Sequence, residues 1–200
     1  MDLIQVSCEE DDFEFIIPYL KNVEELGLML TTSFTDASLK LINRYCSKLE
    51  FINFTGLLNI SDQGLGNLFA TEKDSSFMND NLSPSSAHTL DSLFHNRRIS
   101  GDTSYHHHQH PKNCRVKRIN LSDCMDLTDD GLKIISDHCE ALEAISIDDC
   151  PHISDEGFEA FVRQQTKIKY LSIANSEILS NRSIECLNKY CPDIEKVHKN

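Results

Sequence analysis

The chain has 200 residues, 40% of them apolar, and a formal net charge of −13; that is enough to bury one domain core and acidic enough to repel nucleic acid and anionic membranes. No run of about 18 apolar residues occurs, and the opening MDLIQVSCEEDD is acidic where a targeting signal is basic, so the expected compartment is cytosol, nucleus or both. Eight cysteines, with no CxxC pair and no zinc-finger spacing, give no zinc motif and, in an intracellular chain of this size, no need of disulfides.

In chain order, Phe13, Ile16 and Ile17 come first, spaced as a helix stripe, and residues 1–22 read as an N-terminal cap or degenerate half repeat. From Val23 a pattern begins that returns: LGLMLTTSFTDASL from Leu26, INFTGLLNISDQGL from Ile52, INLSDCMDLTDDGL from Ile119, ISIDDCPHISDEGF from Ile145, LSIANSEILSNRSI from Leu171. The leading apolar residue of each unit falls at Val23, Leu49, Val116, Leu142, Ile168 and Ile194. Each step is 26 residues except Leu49 to Val116, which is 67, one repeat plus 41 inserted residues. Residues 23–72 are therefore repeats 1 and 2, residues 73–115 an insert, and residues 116–200 repeats 3 to 5 plus a terminal strand.

Within a unit the first half alternates, as in Ile119 and Leu121, the signal of a short strand with one buried face. The second half changes period: Leu132, Ile135 and Cys139 make a helix stripe, preceded by a hydroxyl cap and a carboxylate at Thr128–Asp129 or Ser154–Asp155. Gly64, Gly131 and Gly157 recur at one position and are read as serving the helix turn. No single unit can bury its own apolar face, so the units must stack, strands pairing in parallel and helices lining the outside. The expected fold is an α/β leucine-rich-repeat solenoid of about six strands, ending in an edge strand at IEKVHKN that calls for a polar cap or a partner.

The insert shifts to Ser, Asn, His and Asp without an apolar pattern and is expected to be disordered. Its histidines 106, 107, 108 and 110 with Cys114 read as a low-complexity tract, and no metal site is assigned. Ser83 before Pro84 and Ser100 after Arg97 and Arg98 are candidate phosphorylation sites, and Leu90, Leu93 and Phe94 make a short apolar trio.

No nucleophile elbow, zincin motif or phosphate-cradling glycine loop is present, which points to a non-enzymatic protein with no catalytic residues and no cofactor. The cysteines read as buried small hydrophobes. What remains is surface. Side chains flanking the buried pair of each strand should line up on the concave face: Phe51, Asn53 and Thr55; Arg118, Asn120, Ser122 and Asp123; Ala144, Ser146, Asp148 and Asp149; Tyr170, Ser172 and Asn175; then His198. Aromatics and an arginine amid hydrogen-bonding groups are the makings of a protein interface. Phe51, Asn53, Arg118, Asn120, Asp123, Asp148, Asp149, Tyr170 and Asn175 are the candidate partner-binding residues, and the acidic balance favours a basic partner.

The unit L-x-x-L-x-L-x-x-C-x-x-L-[ST]-D-x-[GS]-L-x-x-[LI]-x-x-x-C, with Cys124 and Cys150 at the first cysteine position and Cys46, Cys139 and Cys191 at the second, resembles the cysteine-containing leucine-rich-repeat family. That family includes F-box/leucine-rich-repeat proteins and proteins of the antagonist of mitotic exit network type. The first resemblance implies substrate recognition or an adaptor role in ubiquitin-dependent degradation by an SCF ligase, with ligase components among the partners. The second implies a cell-cycle inhibitor that binds a signalling protein without the ligase; residues 1–22 are fewer than an F-box needs, which keeps that implication open.

Overall fold

The computed structural model describes residues 3–6, 10–28, 34–70, 115–176 and 180–199. The histidine tract, Ser83, Ser100 and the apolar trio lie outside them. Strands β1 (Leu3–Val6), β2 (Glu25–Leu28), β3 (Phe51–Asn53), β4 (Arg118–Asn120), β5 (Ala144–Ser146), β6 (Tyr170–Ser172) and β7 (Lys196–His198) alternate with helices α1 (Glu10–Ile16), α2 (Asp36–Tyr45), α3 (Asp62–Phe69), α4 (Asp129–His138), α5 (Asp155–Gln164) and α6 (Asn181–Tyr190). A 3₁₀ turn, Ile17–Tyr19, follows α1. All seven strands form one parallel sheet in sequence order, the architecture of a leucine-rich-repeat solenoid.

The register follows the repeat. Leu26, Ile52, Ile119, Ile145 and Leu171 pair side by side as successive rungs, and the rung from Ile52 to Ile119 forms across the 67-residue step as it does across the others. Residues 1–22 hold more than the expected helix, because β1 pairs with β2, Ile4 opposite Leu26. The spacing between those partners is 22 residues, not 26, which took β1 out of phase with the repeat.

These inward residues meet the helix stripes. Leu39 and Ile42, Leu65 and Leu68, Leu132 and Ile135, Phe158 and Phe161, and Leu187 are buried against the strand residues in a single core. Each such side chain contributes about 1.5–3 kcal/mol relative to exposure. The charged residues between them face out while the small serines Ser38, Ser136 and Ser183 sit on the buried side, so every helix from α2 onward is amphipathic.

The helix starts fasten one coil to the next. Thr35, Ser61, Thr128, Ser154 and Ser180 are the N-caps, each accepting a backbone N–H of its own helix. Four of these caps also meet the aspartate that opens the preceding helix. Asp36 accepts the Ser61 N–H at 2.9 Å and its hydroxyl at 2.6 Å; Asp62 accepts the same pair from Thr128 at 3.0 and 2.6 Å; Asp129 accepts them from Ser154 at 2.8 and 2.5 Å. Asp155 continues the ladder with the Ser180 N–H at 2.9 Å and the Ser183 hydroxyl.

This ladder explains the recurring glycine, which sequence reasoning had assigned to the helix turn. A Cβ at Gly64, Gly131 or Gly157 would lie 2.1, 2.4 or 2.0 Å from the Oδ1 of Asp36, Asp62 or Asp129. Glycine stands there because the neighbouring carboxylate occupies the space of a side chain.

Candidate protein-interaction face

The sheet's solvent face carries the candidate residues in columns. Glu25, Phe51, Arg118, Ala144, Tyr170 and Lys196 pair in one row across β2 to β7, and Gly27, Asn53, Asn120, Ser146, Ser172 and His198 in another. The parallel register thus gathers side chains from five repeats onto one surface.

In the first row the Arg118 guanidinium lies over the Phe51 ring, 4.7 Å from its centroid, and bonds Glu25 Oε1 at 2.7 Å. Glu25 is almost buried, so its charge needs that partner, and the arginine is held with one face on the ring. Tyr170 is 46% exposed; its hydroxyl donates to Glu195, and that bond to a carboxylate raises the phenol's pKa. Neither Glu25 nor Glu195 was among the sequence candidates.

Beside this row runs a column of alternating sign: Glu50, Lys117, Glu143, Lys169, Glu195. Lys117 bonds Glu50 at 2.7 Å and Lys169 bonds Glu143 at 3.0 Å. The alternation could have been read from the repeat alignment, one residue before each outward position already selected.

The second row is largely self-satisfied. Asn53 Oδ1 accepts the Thr55 N–H at 3.2 Å and hydroxyl at 2.7 Å, and Asn120 Oδ1 accepts the Ser122 N–H at 3.0 Å, so both amides close the turn after their strands. Asp148 braces three coils: it accepts the Ala174 N–H at 2.6 Å and the hydroxyls of Ser172 at 2.7 Å, Ser146 at 3.1 Å and Ser122 at 3.4 Å. Ser172 Oγ also lies 3.1 Å from His198 Nδ1. The serine therefore stands between acid and imidazole, whereas a hydrolytic triad places the imidazole between acid and serine.

Asp123, Asp149 and Asn175 have positive φ, 60°, 54° and 55°, where the earlier coil has Gly56 at 70°. Asn and Asp tolerate this left-handed conformation better than other side-chain-bearing residues, so the backbone gives these positions a local reason for their identity. Gly56 at the equivalent position was the available sequence signal. Asn175 Nδ2 also donates to Asp149 Oδ2 at 3.0 Å.

Cys46, Cys124, Cys139, Cys150 and Cys191 are buried away from this surface. Cys124 and Cys150 donate to Phe54 O and Leu121 O of the preceding coil, both at 3.3 Å. Burial pushes the pKa of Cys46, Cys124 and Cys150 up to about 12 and that of Cys191 to about 11. Protonated and enclosed, they pack as small hydrophobes.

Among the described residues no group of three or more His, Cys, Asp or Glu is placed to hold a metal ion, and no helix is long and apolar enough to cross a membrane. What the sheet face offers is an aromatic ring, a stacked guanidinium, a phenol and fixed carboxylates on a rigid frame, an arrangement suited to holding another molecule's surface.

No protein-family model and no curated protein matches the sequence. Among solved structures, a chain of the yeast Rad7 and Elc1 complex is similar over 80% of this chain, with a TM-score of 0.54 and 12% identity. The match covers 30% of that chain, so the present sequence spans about a third of its length. The tropomodulin C-terminal domain of Caenorhabditis elegans is similar over 92% of this chain and 91% of its own, with a TM-score of 0.48 and 7% identity. At 12% identity the likeness to the yeast chain is one of fold, and it agrees with the solenoid built above from the repeat and the strand register.

Proposed function

We propose that this chain is a non-enzymatic protein-interaction module whose sheet face grips a protein partner. The reading extends to substrate recognition or an adaptor role in SCF-type ubiquitin-dependent degradation, in the cytosol or nucleus. The observation that carries it is the row Phe51, Arg118 and Tyr170, drawn from three repeats onto one surface, with Arg118 stacked and ion-paired in place. Rigid aromatic and arginine side chains lose little freedom on binding and are the side chains that dominate interface energies. Further support comes from the yeast chain of similar fold, whose structure is that of a complex with a second protein. The degradation role rests on the cysteine-containing repeat pattern alone.

Affinity purification from cells, wild type against Phe51→Ala/Arg118→Ala/Tyr170→Ala, tests both levels. Loss of the co-purifying proteins from the variant supports the sheet face; retention of all of them refutes it. Cullin or Skp subunits among the proteins lost support the degradation role, and a set lost without them removes it.

A further inference from the structure

Helices α2 to α6 bury one side and expose no large apolar residue on the other. The segment from α1 through its 3₁₀ turn departs from that rule. Phe13 and Ile17 are fully buried, Phe13 edge-on to Phe34 with ring centroids 4.8 Å apart. On the opposite side Phe15 is 68%, Ile16 38% and Tyr19 81% exposed. Phe15, Ile16 and Tyr19 follow one another at helical spacing on the outward side, and a contiguous group of large exposed apolar side chains marks an interaction site, unlike scattered single residues.

The charges around these rings say what covers them. Asp12 and Glu14 are exposed beside them, with Lys21 beyond the far end, and Glu9, Glu10 and Asp11 precede them in sequence. A second copy of the chain would bring acid against acid between two molecules of net charge −13. A basic segment avoids that repulsion, its apolar residues covering the rings and its lysines or arginines meeting the carboxylates.

We infer that Phe15, Ile16 and Tyr19, rimmed by Asp12 and Glu14, form a second docking surface that takes an amphipathic helix of a basic protein partner. This surface is built from α1 and its 3₁₀ turn, not from the sheet face, and does not depend on what that face binds. With both in use the chain holds two proteins at once.

The test is fluorescence anisotropy of the full chain with a labelled helical peptide of about 18 residues, leucine on one face and lysine on the other. Companion peptides replace leucine by serine or lysine by glutamate. The leucine/lysine peptide is expected to bind the wild type best, to weaken about tenfold or more with Phe15→Ser/Tyr19→Ser, and to be indifferent to Phe51→Ala/Tyr170→Ala. Asp12→Asn/Glu14→Gln should weaken it and flatten its salt dependence. Because Phe15 and Tyr19 are exposed, their variant should keep the wild-type melting temperature; should it melt early, Tyr19→Ser alone, at the most exposed position, gives the same reading. Failure of the wild type to bind, equal binding of the serine peptide, or undiminished binding by the Phe15/Tyr19 variants overturns the inference. So does sedimentation showing a wild-type dimer that those variants dissolve, since a second copy would then be the occupant.

Discussion

Two glycines make opposite cases at the scale of single residues. A Cβ at Gly157 would fall 2.0 Å from Asp129 Oδ1 and 2.6 Å from Asp129 Cβ, so the whole side chain must move, taking with it the acceptor for Ser154. Gly157→Ala is expected to destabilise by about 2–4 kcal/mol, overpacking plus the lost hydrogen bonds. At Gly66 the nearest neighbours stand 3.8 and 3.9 Å away, and there alanine should stabilise by about 0.5–1 kcal/mol through helix propensity. Denaturant melts of the two variants, run side by side, check the sign as well as the size. The thiols give a second measurement: with pKa values of about 11 to 12, Cys46, Cys124, Cys150 and Cys191 should resist Ellman's reagent at pH 8 until the chain unfolds. Prompt labelling of any of them in the native state would contradict the buried packing.

At the scale of the element, the helix start is where coils are joined. Burial alone would raise the Asp155 pKa, but hydrogen bonds from the Ser180 and Ser183 side chains and the Ser180 N–H outweigh it, with the Arg182 charge assisting, and hold the carboxyl below its ordinary value. A carboxyl depressed in the folded state contributes stability that is complete above about pH 4 and is lost as the pH falls through the folded value. Melting temperatures of wild type and Asp155→Asn should therefore converge as the pH is lowered from 6 toward 3, with the wild type ahead only at the upper end. The alternating strand and helix halves were legible because each 26-residue unit switches from period two to period 3.6 at one place, marked by a hydroxyl and a carboxylate. The carboxylate's reach into the next coil was not legible, since a cap and a bridge between coils call for the same Thr-Asp or Ser-Asp pair. On the sheet face, Phe51, Arg118 and Tyr170 could be aligned from their phase, but Glu25 could not be paired with Arg118 because the two are 93 residues and two strands apart.

At the scale of the whole molecule, each coil touches its neighbours and little else, so stability accumulates along the stack. Strands β3 and β4 pair in the same register as the rest although 67 residues separate Phe51 from Arg118. Removing residues 73–113 restores a 26-residue step between Leu49 and Val116. The shortened chain should melt within about 3 °C of the full one, since the length of a connection costs little and every rung among the described residues is kept. Circular dichroism would show it, and a collapse of the melt would mean that those residues support the stack. The bridging of Asp36 to Ser61, Asp62 to Thr128, Asp129 to Ser154 and Asp155 to Ser180 also bears on how such a chain can lengthen. Every inner unit carries both a plug, its aspartate, and a socket, its hydroxyl with the small residue behind it. An in-frame gene duplication of one unit would therefore arrive already fitted to mesh on both sides.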